Sequence, residues 1–173
     1  MNNVKIYNIT PKTFDNLFDP CKSCLYWEAP HLTGKISDSK ANLLKKDWFC
    51  TVLNKWGPCG KILYVDNEPV GFVQFAPNKF FQNLKGYPVK PSDDAVFISC
   101  LYVKEGYRQK KYGVMLLNAV IRELKERNIK AVETIARKRS IDNPSGPIEF
   151  YLENGFSIIK DHEEYPVVRR ELT

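Results

Sequence analysis

Apolar residues recur along this chain with two different periods. Lys61-Ile62-Leu63-Tyr64-Val65 and Val70-Gly71-Phe72-Val73-Gln74-Phe75 flank Asp66-Asn67-Glu68-Pro69, a pattern that predicts an antiparallel hairpin. A third strand-like run, Val96–Val103, breaks into a basic turn, Arg108-Gln109-Lys110-Lys111-Tyr112-Gly113. The period then becomes helical: Leu117, Val120, Ile121 and Leu124 mark one buried face between Val114 and about Arg127. Ala131–Ala136 returns to a strand pattern. Strand, helix and strand over Val96–Ala136 are most simply a right-handed crossover between parallel strands.

The flanking segments complete the order. Thr10-Pro11 reads as an N-cap followed by proline at the first helical position, and predicts a short helix to about Asp19. Residues Pro20 to Ile36 are irregular, with Pro30 and Gly34 as breakers. A second helix is expected from about Asp38 to Lys55, with Leu44, Trp48, Val52 and Trp56 on its apolar side and Gly57-Pro58 closing it. Ala76 to Asp94 reads as a loop. Ile148 to Glu153 reads as a short helix ended by Asn154-Gly155, and Phe156–Ile159 opens a terminal pair of strands. The expectation is one domain over residues 1–173, mixed α/β around a central sheet.

Composition narrows the class only a little. Hydrophobic and charged fractions are ordinary for a globular protein. The N-terminus lacks the apolar core of a signal peptide and no apolar run approaches membrane-spanning length, so a soluble, cytoplasmic protein is expected. The net charge of +6 favours anionic partners, among which nucleic acid, an acidic membrane surface and a polyphosphate cofactor stay open. Of five cysteines, Cys21 and Cys24 have the spacing of half a zinc site or a redox pair. No second close pair completes a zinc site, and free thiols are the simplest reading of Cys21, Cys24, Cys50, Cys59 and Cys100. No metal site is expected.

Two motifs carry the chemistry. The basic turn leads directly into a helix N-terminus, where backbone N–H groups and nearby cations make a ready phosphate site. Some forty residues later comes Tyr151-Leu152-Glu153-Asn154-Gly155-Phe156. Together, in this element order and separation, they resemble the GNAT superfamily of N-acetyltransferases. That family carries a [Q/R]-x-x-G-x-[G/A] loop after its fourth strand and a later Y-x-x-x-G-F. The close match covers about a third of the chain, and the hairpin before it fits in order and position. Two departures stand out. Lys111 occupies the place of the first glycine, where a left-handed backbone would cost a lysine roughly 1–2 kcal/mol. Asn143 sits one residue out of register with the family's asparagine, so no cofactor contact is assigned to it.

The resemblance implies a GNAT-like, mostly antiparallel sheet with one parallel βαβ crossover and helices on both faces. It further implies acetyl-CoA as acetyl donor. The pyrophosphate would lie on the amides of Gln109, Lys110, Lys111, Tyr112, Gly113 and Val114, with Arg108 and Lys110 as side-chain contacts. Leu101, Tyr102 and Val103 would pair with the pantetheine arm as an added strand pairs with a sheet edge. Tyr151 occupies the position of the acid that protonates the leaving thiolate, against the plainer reading of a core aromatic. No base is evident: Asp93, Asp94, Glu105 and Glu68 read as solvated carboxylates, and a water chain is the alternative. His31 and His162 read as surface or packing residues. The implied acceptor is a small-molecule or peptide amine, open among small amine, aminoglycoside, amino acid, peptide N-terminus and protein lysine, with the aromatics of Cys24–Glu28 and Glu28 itself the expected contacts. Trp27, Trp48 and Trp56 belong either to the core or to the acceptor cleft. Members of the family often form homodimers. Two rivals remain: an idle acyl-CoA-binding domain and, less well supported, a nucleic-acid-binding protein lacking any recognisable motif for that role.

Overall fold

The computed structural model describes residues 1–138 and 146–173, so Asn143 lies outside the described residues. Seven strands and three α-helices follow in the order β1 (Val4–Asn8), α1 (Asp38–Lys55), β2 (Gly60–Val65), β3 (Glu68–Pro77), β4 (Ala95–Val103), α2 (Tyr112–Glu126), β5 (Ala131–Ile135), α3 (Ile148–Leu152), β6 (Ser157–Lys160) and β7 (Val167–Glu171). The strands form one sheet in the order β1-β2-β3-β4-β5-β7-β6. Among its paired strands only β4 and β5 run parallel, as the crossover pattern predicts.

Apolar side chains alternate to the two sheet faces and build two cores. On one face Leu63, Val73, Ile98 and Val132 meet Leu116, Leu117, Val120 and Leu124 of α2, with Tyr151 of α3 beside them. On the other, Ile62, Phe72 and Phe97 pack under Phe49 and Val52 of α1 and under Phe14, Leu17 and Trp27 of the N-terminal segment.

Three features depart from the sequence expectations. β1 was not expected, although Val4 and Ile6 lie half-buried against the core while Lys5 and Tyr7 are exposed. The helix expected over 10–19 is a single 3-10 turn, Thr13–Asn16. Thr13 N donates to Thr10 Oγ1 (3.1 Å) and Thr10 N to Thr13 Oγ1 (2.8 Å), but the N-cap of the turn is Lys12, and the chain leaves after one turn to bury Phe14 and Leu17. Helix α1 buries Ala41, Lys45, Phe49 and Val52 most deeply, so of the expected face Val52 is central while Trp48 and Trp56 pack half-buried at the rim of the cores. A helical wheel assigns a lysine to solvent; here Lys45 turns inward to an internal carboxylate. No helix among the described residues is long and apolar enough to cross a membrane.

Candidate functional site

The site is made by a parting of strands. Register partners join β4 to β5 only from Ala95 to Phe97. At the next residue a side chain replaces the backbone ladder, with Thr134 Oγ1 donating to Ile98 O at 2.7 Å. Opposite β3, Gln74 pairs with Cys100 and Phe75 with Ile98, leaving Ser99 as the extra residue of a β-bulge. Bulge and parting therefore coincide.

Beyond that point β4 keeps its partner on one side only. Lys104 N donates to Val70 O (2.9 Å), and hydrogen-bonded and open pairs alternate along an antiparallel ladder. The peptide groups of Tyr102 and Cys100 thus face β3, while those of Leu101 and Val103 face away from it, toward the side β5 has left. Val103 O there accepts from Arg108 Nε at 2.9 Å.

A groove of about 530 Å³ runs from this edge to the start of α2. Leu101, Val103, Arg108 and Gln109 line one part; Lys111, Gly113 and Phe150 line another. Its floor at the helix start is polar. Met115 N donates to Lys111 O, the first bond of the helix, which leaves the N–H groups of Tyr112, Gly113 and Val114 without a partner inside it. Gln109 (φ 61°) and Lys111 (φ 68°, ψ 12°) are left-handed, so the turn curls its amides into a concavity of the kind that binds anions. Lys111 therefore adopts the conformation a glycine would take. The groove, its unpaired strand edge and its cationic helix start fit a long, anionic, amide-bearing acyl carrier such as acetyl-CoA.

Of the ten residues expected to hold the cofactor, Tyr102 and Lys110 lie outside the groove lining. Tyr102 points to the opposite sheet face, where its ring packs against Phe18 and under the Arg108 guanidinium. Lys110 reaches back over the Tyr107 ring. The expected cofactor set also omits Tyr107, Gly146, Pro147, Phe150 and Glu153, which complete the lining. Phe150 directly precedes the tyrosine of the second motif, a signal open to use.

Tyr151 is 0% exposed. Its ring meets those of Phe150 and Phe156 edge-on, each at 5.1 Å. The second motif thus has a structural logic: Gly155 (φ 85°) reverses the chain so that Phe156 N donates to Tyr151 O and the Phe156 ring folds onto the tyrosine. Burial, reinforced by the nearby Cys100 thiol, pushes the Tyr151 hydroxyl well above the ordinary tyrosine range, while a hydrogen bond with Thr134 works the other way. The hydroxyl stays protonated at neutral pH, beside the strand parting.

The residues expected to meet an acceptor are mostly inside. Trp27 is buried, stacked on Tyr87 with centroids 5.2 Å apart; Trp48 and Trp56 are half-buried in the cores. Glu28 is buried and ion-paired with Lys45 at 2.7 Å. Asp94 holds Arg169 in a two-pronged pair, and Glu68 accepts from Tyr107, so both are surface partners. The five cysteines are free thiols, and among the described residues no group of three or more His, Cys, Asp or Glu side chains is placed to hold a metal.

Solved structures share this architecture. The PaiA N-acetyltransferase from Thermoplasma acidophilum, in complex with coenzyme A, superposes with a TM-score of 0.63 at 16% identity, over 98% of this chain and 99% of that one. Ard1 from Thermoplasma volcanium gives 0.60 at 16% identity, covering 98% of each chain. The ribosomal-protein-S18-alanine N-acetyltransferase from Escherichia coli gives 0.56 at 12% identity, over 99% of this chain and 95% of that one. No curated protein matches the sequence significantly. The family model of the Acetyltransferase (GNAT) family matches residues 17–156. That span contains the parted strands, the phosphate-type turn and the tyrosine motif, and the chain belongs to the GNAT acetyltransferase family.

Proposed function

We propose that this protein transfers an acetyl group from acetyl-CoA to a primary amine of a small molecule or peptide. The observation that carries the reading is the edge of β4 that β5 leaves at Leu101 and Val103, running straight into the amide-rich start of α2. An amide-bearing pantetheine arm extends such an edge by strand addition. The left-handed turn and helix start meet the pyrophosphate, with Arg108 held across the end of β4 by its bond to Val103 O. When bound, acetyl-CoA supplies an activated thioester. The chain's share of the chemistry is to orient it, to polarise its carbonyl through strand N–H groups, and to return a proton to the departing sulfur.

Tyr151 is the proton donor in this reading. Its hydroxyl lies by Thr134 where β4 and β5 separate, and burial keeps it protonated. Its complete burial also favours a second reading, an acyl-CoA-binding domain in which Tyr151 only packs. Calorimetric titration with acetyl-CoA, with dephospho-CoA and ATP as controls, tests the binding site. Release of thiol over a panel of amines then tests turnover. Tyr151→Phe separates the two readings. It lowers turnover on the order of 100-fold with acetyl-CoA affinity unchanged if the hydroxyl is the acid. It changes nothing measurable in an idle domain.

A further inference from the structure

The α1 face of the sheet, opposite the cofactor groove, holds a buried polar cluster at the strand parting. Gln74 of β3 is the register partner of Cys100, next to the bulge. Its Nε2 donates to Glu28 Oε1 at 2.5 Å. Lys45 Nζ donates to the same oxygen at 2.7 Å and to Cys24 O at 2.8 Å. The remaining acceptor of each head group is unused: Glu28 Oε2 and Gln74 Oε1 are both buried without a hydrogen-bond partner. Glu28 is 7% exposed and Gln74 0%. Two orphaned acceptors on directly bonded groups are a costly arrangement unless a donor is meant to fill it.

A ligand that brings two N–H or O–H groups would satisfy both. A neutral primary amine has two N–H groups and one lone pair. Held by two acceptors, it keeps the lone pair free for attack. Lys45 matters to the choice, because it already balances the Glu28 charge and repels a second buried cation, favouring the neutral amine over the ammonium. Cys24 and Cys100, both half-buried, border the cluster beside Lys45.

We propose that Glu28 Oε2 and Gln74 Oε1 together hold the two N–H groups of the acceptor's neutral primary amine, and that Glu28 takes its proton. This rests on the acetyl-transfer reading. The amine nitrogen forms a bond to the acetyl carbon with its lone pair. One N–H proton passes to Glu28 Oε2, the carbon–sulfur bond breaks with its electrons on sulfur, and the thiolate takes the Tyr151 proton. Glu28 and Tyr151 re-equilibrate with solvent, leaving amide and free thiol. The carboxylate that the sequence leaves unassigned is thereby supplied from the N-terminal segment.

The test uses the full chain with methylamine as the probe. Methylamine shifts the side-chain amide signals of Gln74 in a nitrogen–proton correlation spectrum of the wild type, and supports thiol release from acetyl-CoA. Glu28→Gln lowers kcat on the order of 100-fold. Because that change also strips Lys45 of its counter-charge, Gln74→Leu carries the decision. It raises the methylamine KM roughly tenfold, the loss of one hydrogen bond, while the acetyl-CoA Kd stays at the wild-type value. An unresponsive Gln74 amide, or an unchanged methylamine KM in Gln74→Leu, overturns the amine site and assigns the cluster to internal water. Failure of the wild type to bind acetyl-CoA by calorimetry has a different signature and refutes the acetyl-transfer reading beneath it.

Discussion

Replacing Lys45 by methionine tests the most consequential buried interaction in the N-terminal half. The side chains of Lys45 and Glu28 are only 3% and 4% exposed, so neither charge has water to fall back on. Lys45→Met leaves the Glu28 carboxylate with Gln74 as its only hydrogen-bond donor among the described residues. Removing one partner of a buried pair costs about 3–5 kcal/mol, a large share of the roughly 5–15 kcal/mol that holds a domain folded. At this chain length about 4 kcal/mol lowers Tm by roughly 8–16 °C. Urea unfolding followed by tryptophan fluorescence reads the change directly. The double variant Glu28→Leu with Lys45→Met removes both charges and recovers most of the loss, because an apolar pair has no desolvation to offset. pH supplies a second axis. Burial alone would depress the Lys45 ammonium; the Glu28 charge, then the Cys24 thiol, the Glu28 hydrogen bond and Cys100, outweigh it and hold it above the ordinary 10.5. A group raised on folding stabilises fully below its unfolded value and is lost as pH climbs through its folded one. The stability of the wild type should hold to about pH 10 and fall above that, and the double variant should lack that fall. A single-variant loss below about 1 kcal/mol, or a double variant no more stable than the single, would refute the reasoning.

Three further outcomes follow from local geometry. Lys111→Gly removes the strain of a left-handed lysine, offset by glycine's greater unfolded freedom, and should stabilise by up to about 1 kcal/mol in chemical denaturation. Gly113→Ala places a methyl 3.5 Å from Phe150 and 3.6 Å from Leu101, an ordinary contact. The fold should tolerate it, while calorimetry should read weaker acetyl-CoA binding because that methyl enters the groove. Arg169→Met strips the fully buried Glu133 of its ion pair, leaving it only the Ser92 N–H, and should destabilise by about 3 kcal/mol. Asp94→Asn at the exposed end of the same network should change stability far less.

The sequence alone determined the order of β2, β3, β4, α2 and β5, because period-2 and period-3.6 patterns there are long and each faces one core. It also located the amide-rich turn ahead of α2, since backbone amides at a helix start are local in the chain. β1 escaped because a five-residue edge strand carries little apolar signal, and the expected helix over 10–19 gave way because burying Phe14 and Leu17 outweighed a short helix. Only the tertiary structure decided the rest. The parting of β4 from β5 depends on where a neighbouring strand stops pairing, which no local pattern encodes. The inward turn of Lys45 depends on a carboxylate seventeen residues earlier and on an amide from β3. A lysine on a helix reads as solvated until its partner is located, so the polar cluster under α1 became visible only once these three segments were brought together.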